Sequence, residues 1–365
     1  MKGVIIGGGI IGLSIARQLY KLGYDITVVE KRMLGRGASW AAGGMLAPLA
    51  EGLVGDFLDF CLESRDMYKS FVEEIQKETG DNVGFWECGI IYPVFSEEEK
   101  SLIQKRIKYY NKLGHNAIWL DRKDIEDKGY MLGKSVLGGA YFPDDKQVDN
   151  RRLITALVMY IKKTKIEVRQ FETVRFINEK NGVFKSVTTD KGEIEADFCI
   201  LAAGAWSGEL EPLKVFPKKG QMFSFKTKKK EELKNILYSK RAYIIPRKDT
   251  NLVVVGATEE NVFFKEGVTV AGLAILIKGL LDTLPNTKDY EIVETWYGFR
   301  PATPDGFPIL GKSDIKNLYY ATGHYRNGIL LTPITAKIMA DLIHKEEESP
   351  YLKIFSFDRF KHLMV

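Results

Sequence analysis

The sequence predicts a mixed protein: a parallel α/β unit together with an α+β unit whose antiparallel sheet is inserted into the first. Three observations lead there. Residues 2–30 read as strand, glycine-rich turn, helix, strand; short strands rich in β-branched and aromatic residues crowd the second half; and pieces like those of the opening unit return in the middle and late in the chain. At 365 residues the chain has room for about two domains and a substantial core.

In the opening unit Val4, Ile5 and Ile6 form a short apolar run suited to a buried parallel strand. Ile11, Ile15, Leu19 and Leu22 recur at helical spacing, Gly23 ends the helix, and Ile26 to Val29 supply a second strand. Such a crossover sets its two strands parallel and usually adjacent. Helices are expected over Phe57–Glu78 and Glu97–Leu113, with a strand at Gly89–Val94 and no second glycine fingerprint. An amphipathic helix at Asn150–Lys163, a buried strand at Phe198–Ala202 and a last helix at Ile329–His344 resemble parts of the first unit. Gln221–Lys226, Ala242–Pro246, Leu252–Ala257 and Ile292–Phe299 read as strands of a mixed sheet covered on one face. Lys226–Lys234 reads as a solvated loop and helix start. The expected division is a discontinuous domain of residues 1–80, 145–213 and 303–365, with 81–144 and 214–302 forming the second domain.

Composition narrows the function. With 45% hydrophobic and 28% charged residues the chain is neither disordered nor collagenous. Its 53 basic and 48 acidic residues leave +5, too little to imply nucleic-acid binding. Cys61, Cys88 and Cys199 are odd in number and far apart, which offers no disulfide framework or CxxC pair and fits a reducing cytoplasm. His115, His324, His344 and His362 show no HxxxH or HExxH spacing, so no metal site is expected. Lys2 and the apolar stretch Gly3–Ala16 imitate a signal peptide, but the five glycines there are placed as a motif and no small-residue cleavage site follows. No apolar run approaches the eighteen or so residues of a membrane span.

Gly7, Gly9 and Gly12 give G-x-G-x-x-G directly after a strand and opening a helix. Gly7 permits the tight turn, Gly9 leaves room for a pyrophosphate, and Gly12 lets helix and strand pack closely. The helix N-terminus then faces the phosphates with free amides and a positive dipole end. Glu30, at the end of the second strand, is placed to accept ribose hydroxyls. This fingerprint alone leaves NAD and FAD both open, and the strand Phe198–Ser207, ending in small residues, taken alone reads as core.

Five segments together resemble the FAD-dependent D-amino-acid oxidase superfamily: Gly7–Gly12 (GGGIIG), Gly37–Pro48 (GASWAAGGMLAP), Ala202–Ser207 (AAGAWS), Tyr297–Asp305 (YGFRPATPD) and Gly323–Leu330 (GHYRNGIL). Within it the likeness is to the glycine oxidases of thiamin biosynthesis, over nearly the whole chain and in the right order. The resemblance implies a Rossmann-like FAD-binding domain with contacts from Ile10, Ile11, Glu30, Lys31, Ala38, Ser39, Gly43, Gly44 and Met45, and from the Val174 backbone at the adenine. Ala203 and Gly204 would pass close to the cofactor, and His324, Tyr325, Arg326, Asn327, Gly328, Ile329 and Leu330 would line the isoalloxazine. Pro333 places a helix start just after Asn327 and Gly328, whose positive end, with Arg326, would face charge developing on reduced flavin.

For the substrate, Arg300 lies at a strand end in an apolar and aromatic segment, where an unpaired guanidinium is expensive to bury. Its planar fork matches a carboxylate, although a structural salt bridge is the competing reading. The resemblance gives Arg300 and Tyr243 the amino acid's carboxylate and makes Arg326 a further substrate contact. No dedicated acid-base residue is found: with the carboxylate clamped and the amine neutral, positioning supplies much of the catalysis as hydride passes to flavin N5. The implied products are imine or glyoxylate, ammonia and hydrogen peroxide, with small amino acids and oxygen as partners. Sarcosine oxidase and a quinone-linked D-amino-acid dehydrogenase are the alternatives, and a tRNA-modifying flavoprotein a further one. Because no cysteine follows Cys199, the FAD is expected to be noncovalent. Resemblance also implies a homo-oligomer, as a tetramer, without membrane or nucleic acid.

Overall fold

The computed structural model describes residues 1–363; Met364 and Val365, the end of the expected 303–365 segment, lie outside the described residues. Lys2–Ile6 sits between Asp25–Glu30 and Phe198–Leu201 and runs parallel to both. Glu167–Gln170 and Leu318–Thr322 extend this sheet in parallel, and Ile309–Lys312 closes it antiparallel, giving six strands. Alternation along the first strand explains its burial on both sides. Ile5 packs under helices Ile10–Lys21, Gly55–Thr79, Asn150–Lys162 and Thr332–Lys345. Val4 and Ile6 face the other way, onto Phe184, Val187 and Ile194. Those residues belong to a three-stranded antiparallel meander, Val174–Lys180, Val183–Thr189 and Gly192–Glu195, which has no counterpart among the sequence-derived elements.

The second sheet has eight strands in the order Ile292–Ala302, Phe216–Lys226, Leu252–Gly256, Tyr243–Pro246, Ile236–Tyr238, Ile90–Val94, Gly138–Phe142, Ile118–Asp121. Only the pairing of Ile236–Tyr238 with Ile90–Val94 is parallel. The expectation of one covered face is corrected. Ile90 and Tyr92 pack against Ile103, Ile107 and Tyr110 of helix Glu97–Lys112 and against Ala47, Leu49 and Leu58. Ile91, Ile244 and Phe225 meet Leu276 and Leu280 of helix Val270–Thr283 on the opposite face.

Two further expectations differ. The last helix begins at Thr332 rather than Ile329, because Pro333 belongs in its first turn, and residues 328–331 form a separate turn in which the Leu331 N–H reaches Asn327 O. No helix starts within Lys226–Lys234. That run lacks an apolar stripe to bury, and the Thr227 N–H is drawn instead to Asn251 O of the neighbouring turn. Among the described residues no helix is long and apolar enough to cross a membrane.

Candidate cofactor and substrate site

The glycine turn is built by close approach. Gly7 has φ +113°, and a side chain there would lie 2.3 Å from Ala202 O; at Gly12 it would lie 2.0 Å from Gly7 O. Gly9 differs, because a Cβ there meets only Ser39 Oγ at 3.4 Å and otherwise points into open space. The Ser39 hydroxyl accepts the Ile10 N–H at 2.9 Å, fixing the start of the helix. The Glu30 carboxylate is held at both oxygens, by the Gly8 N–H and the Arg32 N–H, each at 2.8 Å. Its remaining lone pairs are free for hydroxyl donors.

From this turn one cavity runs to the second sheet. Its wall includes Gly7, Gly9, Ile10, Ile11, Glu30, Lys31, Ala38, Ser39, Gly43, Gly44, Met45, Val174, Ala203, Gly204, His324, Tyr325, Arg326, Gly328 and Ile329. Tyr243 and Arg300 lie on the same wall at the far end. Gly12, Asn327 and Leu330 stand behind it. Gly12 packs on the turn, Asn327 is buried with its N–H on His324 O at 2.9 Å, and Leu330 is core with its carbonyl accepting from Ser64 Oγ at 2.6 Å.

Several wall supports carry no sequence motif. The buried Arg247 guanidinium donates to Gly43 O at 2.9 Å, Val148 O at 3.4 Å and Asn150 Oδ1 at 2.9 Å. Asn150 in turn donates to Ser39 O and Trp40 O at 2.8 and 3.1 Å, so residues 39–44 are held by one polar network. Burial lowers the pKa of Arg247. At the other rim Lys31 Nζ lies 3.6 Å from the centre of the Trp206 ring, which stacks on Phe264 at 4.8 Å. Burial pushes Lys31 down to about 8, with Glu209 pulling it back up.

The part of the cavity beside Arg300 gathers cations and acids. Arg300 donates to Thr258 O at 3.1 Å, and Gly220 makes room for it, since a Cβ there would fall 2.6 Å from the guanidinium. No carboxylate among the described residues lies within 4.0 Å of Arg300. Arg326, by contrast, donates to the Tyr238 hydroxyl at 2.7 Å and lies 3.9 Å from Glu51 and 3.8 Å from Glu259. Tyr243 stacks on Tyr238 with ring centres 6.3 Å apart. His324 is buried against Thr335 Oγ1 at 3.1 Å, and burial pushes its pKa down to about 3, so the ring is neutral. Glu51, on the cavity wall, belongs to none of the motifs; burial raises its pKa while Arg326 and Arg300 oppose that.

The open face of Gly9, the anchored Glu30 and the long cavity beside them fit a dinucleotide such as FAD. The comparisons agree with that fit. The FAD dependent oxidoreductase family, DAO, matches residues 3–342. The chain is 41% identical over 361 residues to the bifunctional protein ThiO/ThiG of Nostoc sp., covering 98% of this chain and 54% of that protein. It spans about half the length of the bifunctional relatives it matches. It is 30% identical to the glycine oxidase of Geobacillus kaustophilus over 97% of this chain and 96% of that one. The crystal structure of glycine oxidase from that organism superposes with a TM-score of 0.92, covering 97% of both chains, and that of the Bacillus cereus enzyme with 0.91, covering 96% and 97%. The chain belongs to the DAO family of FAD-dependent oxidoreductases.

Proposed function

We propose that this chain oxidises glycine and similar small amino acids with FAD, giving the imine or glyoxylate, ammonia and hydrogen peroxide, and that it supplies the thiazole branch of thiamin biosynthesis. The observation that carries the reading is Arg300, a guanidinium on the cavity wall with no carboxylate partner within 4.0 Å among the described residues. A planar cation left in that state is suited to an incoming carboxylate. The likeness to proteins named glycine oxidase over nearly the full length of both chains supports the choice of substrate. FAD, when bound, supplies the acceptor for the α-carbon's hydride and passes the electrons to oxygen. Arg300 and Tyr243 hold the carboxylate, and Arg326 adds positive charge at the same end. Neutral His324 fills the wall beside the turn that Gly328 opens. All three cysteines are buried and none lies on the cavity wall, which supports noncovalent FAD.

In this reading residues 1–80, 145–213 and 303–365 form the FAD-binding domain and 81–144 with 214–302 the substrate domain, in a cytoplasmic homo-oligomer, as a tetramer. The test is anaerobic mixing of the purified yellow protein with glycine, sarcosine and D-alanine while flavin absorbance is followed, then admission of oxygen with peroxide measured. Bleaching by glycine and one peroxide per glycine consumed is expected. Failure of glycine to bleach the flavin, or reoxidation only by a quinone, overturns it.

A further inference from the structure

Glu51 stands on a turn that the protein fixes unusually firmly. Its N–H bonds Ala47 O at 3.0 Å, and the Gly52 N–H bonds Leu49 O at 3.0 Å with Gly52 at φ +77°. The buried Asp145 carboxylate accepts the N–H groups of Leu49 at 3.4 Å and Ala50 at 2.8 Å and is itself met by Arg65. Arg106 donates to Ala50 O at 3.1 Å. The side chain so presented is 9% exposed and lines the cavity.

The carboxylate accepts no hydrogen bond among the described residues, and its nearest cation, Arg326 Nε, is 3.9 Å away. The other ionisable groups facing it are Arg300, the Tyr238 hydroxyl, which accepts from Arg326, and the buried Cys61 thiol. A buried carboxylate without a donor is costly. Glu259, the other acid near Arg326, is in a different position: it is 43% exposed, and Arg326, Lys218 and Tyr325 all favour its charge. Among the described residues Glu51 is therefore the acid beside Arg326 that still lacks donors.

The substrate of the glycine-oxidase reading, on which this inference rests, arrives as a zwitterion with a carboxylate and three N–H donors on a cation. Arg300 lacks an anion and Glu51 lacks a donor on the same cavity wall. We propose that Glu51 receives the substrate's ammonium group and takes one proton from it. One N–H bond breaks and one O–H bond forms on the carboxylate, and nitrogen keeps the electron pair. The charged pair R–NH3+ and carboxylate becomes R–NH2 and carboxylic acid. Nitrogen then holds the lone pair needed to form the C=N bond as the α-carbon loses hydride, and the proton returns to water when product leaves.

The experiment uses the FAD-loaded protein and its Glu51→Gln variant. Glycine-dependent flavin reduction is followed anaerobically over a range of pH, and binding of acetate, which has the carboxylate and no amine, is titrated in parallel. Glu51→Gln is expected to lower the second-order rate of reduction by glycine about thirtyfold or more near neutral pH, while acetate affinity stays within a few-fold of wild type. Reduction of the variant should climb about tenfold per pH unit as free glycine deprotonates. Glu51→Asp should recover part of the loss, and it replaces Glu51→Gln if that variant does not retain flavin. Equal losses for glycine and acetate, or a variant reduced by glycine as fast as wild type, overturn the role of Glu51. A wild-type protein that glycine does not reduce overturns the substrate reading instead, and the same comparison is then made with the amino acid that does reduce it.

Discussion

Replacing Arg300 by alanine removes a cavity-wall guanidinium that has no carboxylate within 4.0 Å among the described residues. Of its five N–H donors one is given to Thr258 O, so the rest of the fork is available to a ligand. Truncating one partner of a desolvated charge pair costs about 2–5 kcal/mol. Arg300 is only partly buried, and Arg326 remains nearby to attract the same anion, so the lower half of that range applies. About 3 kcal/mol corresponds to roughly 150-fold in affinity. Arg300→Ala is accordingly expected to raise the apparent KM for glycine about a hundredfold in a peroxide assay, with the flavin spectrum unchanged. Arg300→Lys should recover only part, since an ammonium cannot make the two-pronged contact. Glycinamide, which lacks the carboxylate, should be a poor substrate for wild type and no poorer for Arg300→Ala. An unchanged KM for glycine in Arg300→Ala would refute the assignment and move the test to Arg326 with Tyr243.

Other expectations follow from single contacts. Gly9→Ala, whose added methyl meets only Ser39 Oγ at 3.4 Å, should keep the apo melting temperature while FAD affinity falls, whereas Gly12→Ala, set against Gly7 O at 2.0 Å, should lose both; thermal melts with and without FAD separate the two. His324 is held near 3, below its ordinary 6.5, so as pH falls from about 6.5 toward 3 the unfolded chain takes up a proton that the folded one resists. Stability present above that window is lost on acidification, at up to ~1.4 kcal/mol per pH unit. His324→Gln should flatten this limb of the stability profile, and an identical slope would count against the buried neutral ring. Arg247→Leu strips donors from Gly43 O, Val148 O and Asn150; a loss of about 3 kcal/mol in denaturant melts, together with weaker flavin retention, is expected. A variant as stable and as yellow as wild type would show that residues 39–44 hold their shape without it.

What the sequence made legible was whatever local chemistry dictates. The turn at Gly7, Gly9 and Gly12 is specified by backbone conformation and close approach, so residue type alone marks it. Arg300 was visible because a cation in an apolar strand needs a reason. Arg247 and Asn150 were not, since their meaning lies in carbonyls that arrive from residues 39–44 and Val148, far away in the chain. Glu51 is one acid among many until the fold buries it beside Arg326. The meander of residues 174–195 alternates too weakly to announce itself, with strand Val174–Lys180 largely exposed, and the helix start moved to Thr332 because proline dictates the first turn more strongly than apolar spacing does.

The cavity's walls draw on stretches that lie far apart in the chain: the turn at residues 7–11, and residues within 38–45, 202–206, 298–301 and 322–329. A fragment that lacks any of these stretches lacks part of the wall. The glycine turn and the wall at Thr322 to Ile329 lie more than three hundred residues apart in the chain, so the pocket takes shape only after both have been made and folded together. The wall takes in strands of both large sheets, so FAD bound across it would lie against both, and a flavin pool a hundredfold above the dissociation constant would add about 2.7 kcal/mol to the folded state. Cofactor supply would thereby bear on how long the folded molecule survives.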